Sequence, residues 1–137
     1  MSAVVRFLLD TNIANYIIRG ANVPLRKRLG RTPIAELGIS SVTQAELLYG
    51  TARRPDAKGL QVAVHEFIAR LDVRPWDAAA AEVYGGLRAR LEEAGTPLGG
   101  MDLMIAAHAL ALKASLVTND RAFARVSGLT VLDWSVG

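Results

Sequence analysis

The sequence predicts an α/β fold in which a mostly parallel sheet of four to five strands carries helices on both faces. Three observations predict it. Short apolar runs recur along the chain and each gives way to a helix-like stretch, the alternation that parallel strands need for their crossovers. The clearest run, from Val4 to Leu9, is apolar at consecutive positions, as in a strand covered on both faces. At 137 residues, 51% hydrophobic and 21% charged, the chain can fill one core but not two, so residues 1–137 are expected to form a single domain.

Taken in order, Val4 to Leu9 is the first strand, and Asp10, Thr11 or Asn12 caps a helix through Ile13, Tyr16 and Ile17 that ends near Gly20. Pro24 opens a basic helix reaching Leu29, and Glu36 to Ser40 is a second strand. Val42 to Arg54 is helical, stopped by Pro55, and Gly59 to Leu71 is an amphipathic helix with Leu60, Val64, Phe67, Ile68 and Leu71 on one side. Val73 lies in a third short strand, and Asp77 caps an Ala-rich helix to about Ala94, which Gly95-Thr96-Pro97 breaks. A helix from Asp102 to Lys113 leads into the strand Ser115 to Thr118. Asp120 to Val126 is a short helix, and Leu129 to Leu132 a last strand. There is no internal repeat and no linker long enough to separate domains.

In such a sheet the ligand site lies beyond the carboxyl ends of the strands. Asp10 and Asp120 each follow a strand, and Glu46 lies one turn into the helix after the second strand. Asp102 starts a helix that runs antiparallel to the strands, so its N-terminus lies at the same edge. Four carboxylates gathered there repel unless a cation sits between them. Each also has a plainer role open to it. Asp10 and Asp102 fit helix N-caps, and Asp120 a turn or cap. Thr43-x-x-Glu46 fits a capping box, although Ser41-x-x-Gln44 offers another that begins the helix at Val42 and leaves Glu46 free.

Composition narrows the chemistry. Without cysteine, disulfides and thiolate metal sites are excluded, which accords with a reducing cytoplasm. No signal peptide is visible, and the apolar helix Leu103 to Leu112 is too short to span a bilayer, so a soluble, cytoplasmic protein without membrane contact is expected. The net charge is +3, and with the four acids set aside 16 basic residues face nine acidic ones. Thirteen of the 16 are arginine, whose planar fork suits phosphate. Clusters at Arg26-Lys27-Arg28 with Arg31, Arg53-Arg54, Arg88 with Arg90 and Arg121 with Arg125, with a pI near 9.7, point to an anionic partner, nucleic acid first.

His65 and His108 are isolated and read as structural, and Trp76 and Trp134 as packing residues at the sheet margins. Gly85-Gly86 and Gly99-Gly100 complete no phosphate-binding pattern. An aspartyl-phosphate phosphatase needs Asp-x-Asp after its first strand, where position 12 is Asn, and a receiver domain needs a lysine after the late strand that Lys113 precedes.

An ordered set of motifs covers nearly the whole chain: Leu9-Asp10-Thr11-Asn12, Ile39-Ser40-Ser41-Val42-Thr43 leading to Glu46-Leu47-Leu48-Tyr49-Gly50, Asp102-Leu103-Met104-Ile105-Ala106-Ala107-His108-Ala109, and Leu116-Val117-Thr118-Asn119-Asp120 with Phe123. In this order and spacing the chain resembles the PIN-domain ribonucleases of the VapC toxin type, the toxin half of type II toxin–antitoxin pairs. Met101 departs from the pattern, where a small, polar or proline residue is expected.

The resemblance implies a three-layer PIN-like fold and an acidic quartet of Asp10, Glu46, Asp102 and Asp120 that binds Mg²⁺ or Mn²⁺. Thr11, Asn12, Thr118 and Asn119 would orient those acids or contact metal and water. It further implies endonucleolytic cleavage of RNA, commonly transfer RNA, with inhibition of translation. It implies a homodimer, a small antitoxin that covers the site, and operator DNA bound only through that antitoxin. Hard oxygen ligands suit either ion, which would activate water and offset charge at the phosphodiester. Apolar residues on the helices from Leu47 to Leu71 are expected to form a groove for the antitoxin. The competing reading is an inactive PIN-like module that binds RNA or a partner without cutting.

Overall fold

The structure, a computed structural model, describes residues 4–137; the first three residues of the expected 1–137 domain lie outside the described residues. Five strands, β1 (Phe7–Leu9), β2 (Leu37–Ser40), β3 (Asp72–Arg74), β4 (Ser115–Val117) and β5 (Val131–Leu132), form one sheet. Its order is β3-β2-β1-β4-β5, and every pairing is parallel. Six α-helices connect and cover it: α1 (Thr11–Arg19), α2 (Val23–Gly30), α3 (Ser41–Ala52), α4 (Lys58–Arg70), α5 (Ala78–Glu93) and α6 (Gly100–Leu112). Two 3-10 turns, Ile34–Glu36 and Arg121–Arg125, precede β2 and follow β4.

The consecutive apolar residues of the strands divide between the two faces, since neighbouring side chains on a strand point opposite ways. Leu8, Leu116 and Val131 face a core built with Leu87 and Leu91 of α5, Leu103 and Ile105 of α6, and Phe123. Phe7, Leu9, Ile39, Val117 and Leu132 face the other, with Ile13 of α1, Leu25 of α2 and Trp134. Leu8, Leu9, Leu116 and Ile39 are wholly buried. A third cluster joins Ala14, Leu47 and Val64, locking α1, α3 and α4 together. The expected layers are therefore present, with five strands, all parallel.

Element boundaries shifted in places. The first strand begins at Phe7 rather than Val4, although the Arg6 backbone already bonds Glu36 and Ser115 on either side. The third helix begins at Ser41, with Ser40 as its N-cap accepting from the Val42 amide at 3.0 Å. Neither capping box read from the sequence forms, because Ser40 takes the cap. The sixth helix starts two residues before Asp102, capped by Gly99. Asp102 therefore sits in the first turn, where the helix dipole favours a carboxylate.

The apolar groove is also built differently. A cleft of about 420 Å³ runs between α1 and α4, with Ile17, Ile18, Phe67 and Leu71 facing Leu29 and Ile34. Leu47 of α3 is buried instead, because α3 packs against α4. Trp134 lies past the edge strand β5 with its ring centroid 5.0 Å from that of Phe7. Trp76 donates to the Met104 carbonyl at 2.9 Å. Among the described residues no helix is long and apolar enough to cross a membrane.

Candidate active site at the carboxyl edge of the sheet

The strand order reverses direction between β1 and β4, which makes the crevice beyond their carboxyl ends the switch point of the sheet. Asp10 leaves β1 at that point and is 4% exposed. It does cap α1: its Oδ1 accepts from the Ile13 amide at 2.9 Å. Its Oδ2 accepts from the Thr118 hydroxyl. Capping and site roles coexist, because each carboxylate oxygen keeps a further lone pair.

Thr118 follows β4 directly and is buried. Besides donating to Asp10, its hydroxyl accepts from the Asp120 amide at 3.0 Å. Asp120 in turn caps the following 3-10 turn through Oδ1, which accepts from the Ala122 amide at 2.9 Å. Asn119 donates from Nδ2 to the Tyr16 hydroxyl at 3.2 Å. On the other side Thr11 donates to Glu46 Oε1 at 2.6 Å, and the Thr43 hydroxyl lies 3.2 Å from that of Thr11. Thr11 has a single hydroxyl proton, and the short contact to the carboxylate takes it. Asn12 is exposed and has no hydrogen bond to the acids.

The electrostatics tie the four acids together. Burial pushes the Asp10 carboxyl up to about 6, the Thr118 and Ile13 bonds oppose this, and the charges of Asp102 and Asp120 raise it further. Asp102 is also held above the ordinary carboxylate value, first by burial, then by Asp120 and Glu46. Asp102 is thus the acid whose field connects with all three others. The acids at this edge raise one another's carboxyls, as like charges brought close do.

The donor set suits a hard divalent ion, being carboxylate oxygen without cysteine. His108 is buried and engaged with Ser40, its Nδ1 2.8 Å from the hydroxyl. Among the described residues no three acidic or imidazole side chains already stand close enough to hold one ion together.

Three contributors escaped the sequence reading. Thr43, three residues before Glu46 and so on the same helical face, was visible only as a rival cap. Tyr16 reads locally as a core residue, although its hydroxyl reaches Asn119. Ser40 reads as the end of a strand, although it caps α3 and meets His108.

A family model described as PIN domain matches residues 7–129. The chain belongs to the PIN-domain family. Similar PIN-domain proteins include the "tRNA(fMet)-specific endonuclease VapC" of Shigella flexneri, 39% identical over 133 residues that span 96% of this chain and all of the relative (100%). "Ribonuclease VapC2" of Rickettsia felis is 34% identical, spanning 93% of this chain and 97% of the relative. Among solved structures, the DNA-bound VapBC of Salmonella typhimurium superposes with a TM-score of 0.90 at 36% identity, covering 96% of this chain and 99% of that one. The PIN-domain membership spans all four acids.

Proposed function

We propose that this PIN-domain chain is a divalent-metal-dependent endoribonuclease acting as the toxin of a toxin–antitoxin pair. The observation that carries the reading is the buried Asp10 at the β1/β4 switch point, bonded to Thr118 and within the field of Asp102 and Asp120. The relatives named endonuclease and ribonuclease VapC and the likeness to a VapBC complex support the same reading. Mg²⁺ or Mn²⁺ is the ion whose ligand preferences suit these oxygens.

Asp10, Asp102 and Asp120 would hold the ion, directly or through water, with Glu46 as a further ligand or water-orienting base. When bound, such an ion supplies charge neutralisation at the phosphodiester and a lowered pKa for an attacking water. The chain's own part is geometric. Thr118 holds one Asp10 oxygen and the Asp120 backbone, so those two acids keep their spacing. Thr11 orients Glu46, and Asn119 is steadied by Tyr16. Asn12, exposed at the same helix start, is free to meet substrate or water.

The substrate is RNA, with transfer RNA first because the Shigella and Salmonella relatives are named for tRNA(fMet). Cleavage of such an RNA would inhibit translation. The partner is a small antitoxin seated in the apolar cleft between α1 and α4, and operator DNA is bound only through it. The free toxin is proposed to be a homodimer. The test is to incubate the purified chain with total RNA and Mg²⁺ or Mn²⁺, with and without chelator, beside Asp10→Asn. Discrete fragments that need both the metal and Asp10 are expected. Fragments that persist in chelator or in the variant would overturn the assignment.

A further inference from the structure

The acid edge repels a polyanion, so a strand of RNA needs cations close by. A second cleft, of about 300 Å³, shares Glu46 with the acid cluster and is lined by Arg19, Arg53 and Arg54 above a floor that includes Leu47 and Val64. All three arginines are exposed. Among the described residues none of them forms an ion pair, the recorded pairs belonging to Arg6, Arg74 and Arg88.

The spacing on α3 places these groups in a row. Glu46, Tyr49 and Arg53 stand at i, i+3 and i+7, one stripe along about 10 Å of helix. Tyr49 is 62% exposed, and the Arg53 guanidinium lies 5.5 Å from its ring centroid. Cations near a helix C-terminus are favoured by the dipole alone. That does not account for an aromatic ring left open to solvent beside them, on the side of the helix that continues to the acids. Stacking faces interleaved with cations are how proteins track single-stranded nucleic acid.

We propose that this cleft and the exposed Tyr49 at its margin, beside Arg53, form a binding lane for single-stranded RNA, in which Arg19, Arg53 and Arg54 hold phosphates and Tyr49 stacks a base while the strand passes Glu46 into the acid edge. The proposal takes its substrate from the ribonuclease reading above.

The probe is a fluorescein-labelled, mixed-sequence single-stranded RNA of about 15 nucleotides, bound to the full chain in chelator so that nothing is cut. Anisotropy is measured over a range of salt. Arg53→Gln/Arg54→Gln should bind more weakly, with a log–log salt slope shallower by about 1.4, since each lost single-strand phosphate contact removes roughly 0.7. Tyr49→Ala should weaken binding about 5–160-fold, with Tyr49→Trp restoring it. Arg26→Gln/Lys27→Gln loses the same charge elsewhere and should keep the wild-type slope. A wild-type slope in the Arg53/Arg54 variant, wild-type affinity in Tyr49→Ala, or an equal loss in the Arg26/Lys27 variant would overturn the lane. A chain that binds through these residues but cuts no RNA in Mn²⁺ would overturn the ribonuclease reading and leave the lane standing. A chain that cuts RNA with the slope unchanged in the Arg53/Arg54 variant would do the reverse.

Discussion

The Thr118 hydroxyl donates to the Asp10 carboxylate across 108 residues of sequence and at the same time accepts from the Asp120 amide. One buried hydroxyl thereby fixes two of the four acids. Thr118→Val leaves the Asp10 oxygen and the Asp120 amide without that partner, at a cost of about 1–3 kcal/mol. Activity should fall about 10–100-fold, as when groups supporting metal ligands are lost. Thr118→Ser keeps the hydroxyl and should retain most of both. Urea denaturation and RNA cleavage check the pair, and equal losses in the valine and serine variants would contradict the role given to the hydroxyl.

The buried Asp10 should make the metal-free protein less stable at neutral pH than in mild acid. Burial raises its carboxyl from 3.8 to about 6 in the fold. The folded state therefore takes up the proton first, and this group's contribution is fully present below 3.8 and lost as pH rises through about 6. Above that, the charged form costs on the order of 3 kcal/mol. Asp10→Asn should accordingly stabilise the chain in chelator by about 1–3 kcal/mol at neutral pH, with the gain vanishing near the unperturbed value. Urea melts of both proteins across that range provide the check.

His108 acts in the opposite sense. Burial, aided by the Arg74 charge and opposed by Asp77, holds its imidazole below 6.5, neutral in the fold. Its contribution is complete above 6.5 and is lost as pH falls below that value, because the unfolded chain then takes up the proton more readily. His108→Gln offers Ser40 a polar partner and removes this titration. The variant should lose less stability than the parent chain between neutral pH and mild acid, measured by urea denaturation in chelator.

Position 38 tolerates no side chain. A Cβ on Gly38 would lie 2.9 Å from the Asp72 carbonyl oxygen and 3.0 Å from both Val5 methyls. The first of these is backbone of the neighbouring strand. Gly38→Ala should cost about 1–3 kcal/mol and lower the thermal midpoint, while cleavage by the remaining folded protein stays intact.

The acids were legible because each is announced locally. Asp10 ends an apolar strand, Asp120 follows one, Asp102 lies in the first turn of a helix and Glu46 one turn into another, in a chain whose strand–helix alternation fixes which edge they share. The order of the strands was not legible, since nothing local says that β1 lies between β2 and β4. Without that order, the bond from Thr118 to Asp10 has no sequence signal. The same holds for Tyr16 and Asn119, and for Ser40, whose partner His108 lies on the far side of the sequence. The third-helix cap was misplaced by a single residue for the same reason, because Ser40 belongs both to its strand and to the helix that follows.

The central claim is that these carboxylates gather to hold a divalent cation, and Mn²⁺ binding tests it most directly. Titration of the metal-free chain with Mn²⁺, read by calorimetry and by the shift in thermal midpoint, should show saturable binding with stabilisation. Asp10→Asn and Asp102→Asn, folded as judged by their own melts, should each bind at least about ten-fold more weakly. Wild-type Mn²⁺ affinity in both variants, or no binding by the parent chain, would contradict the account.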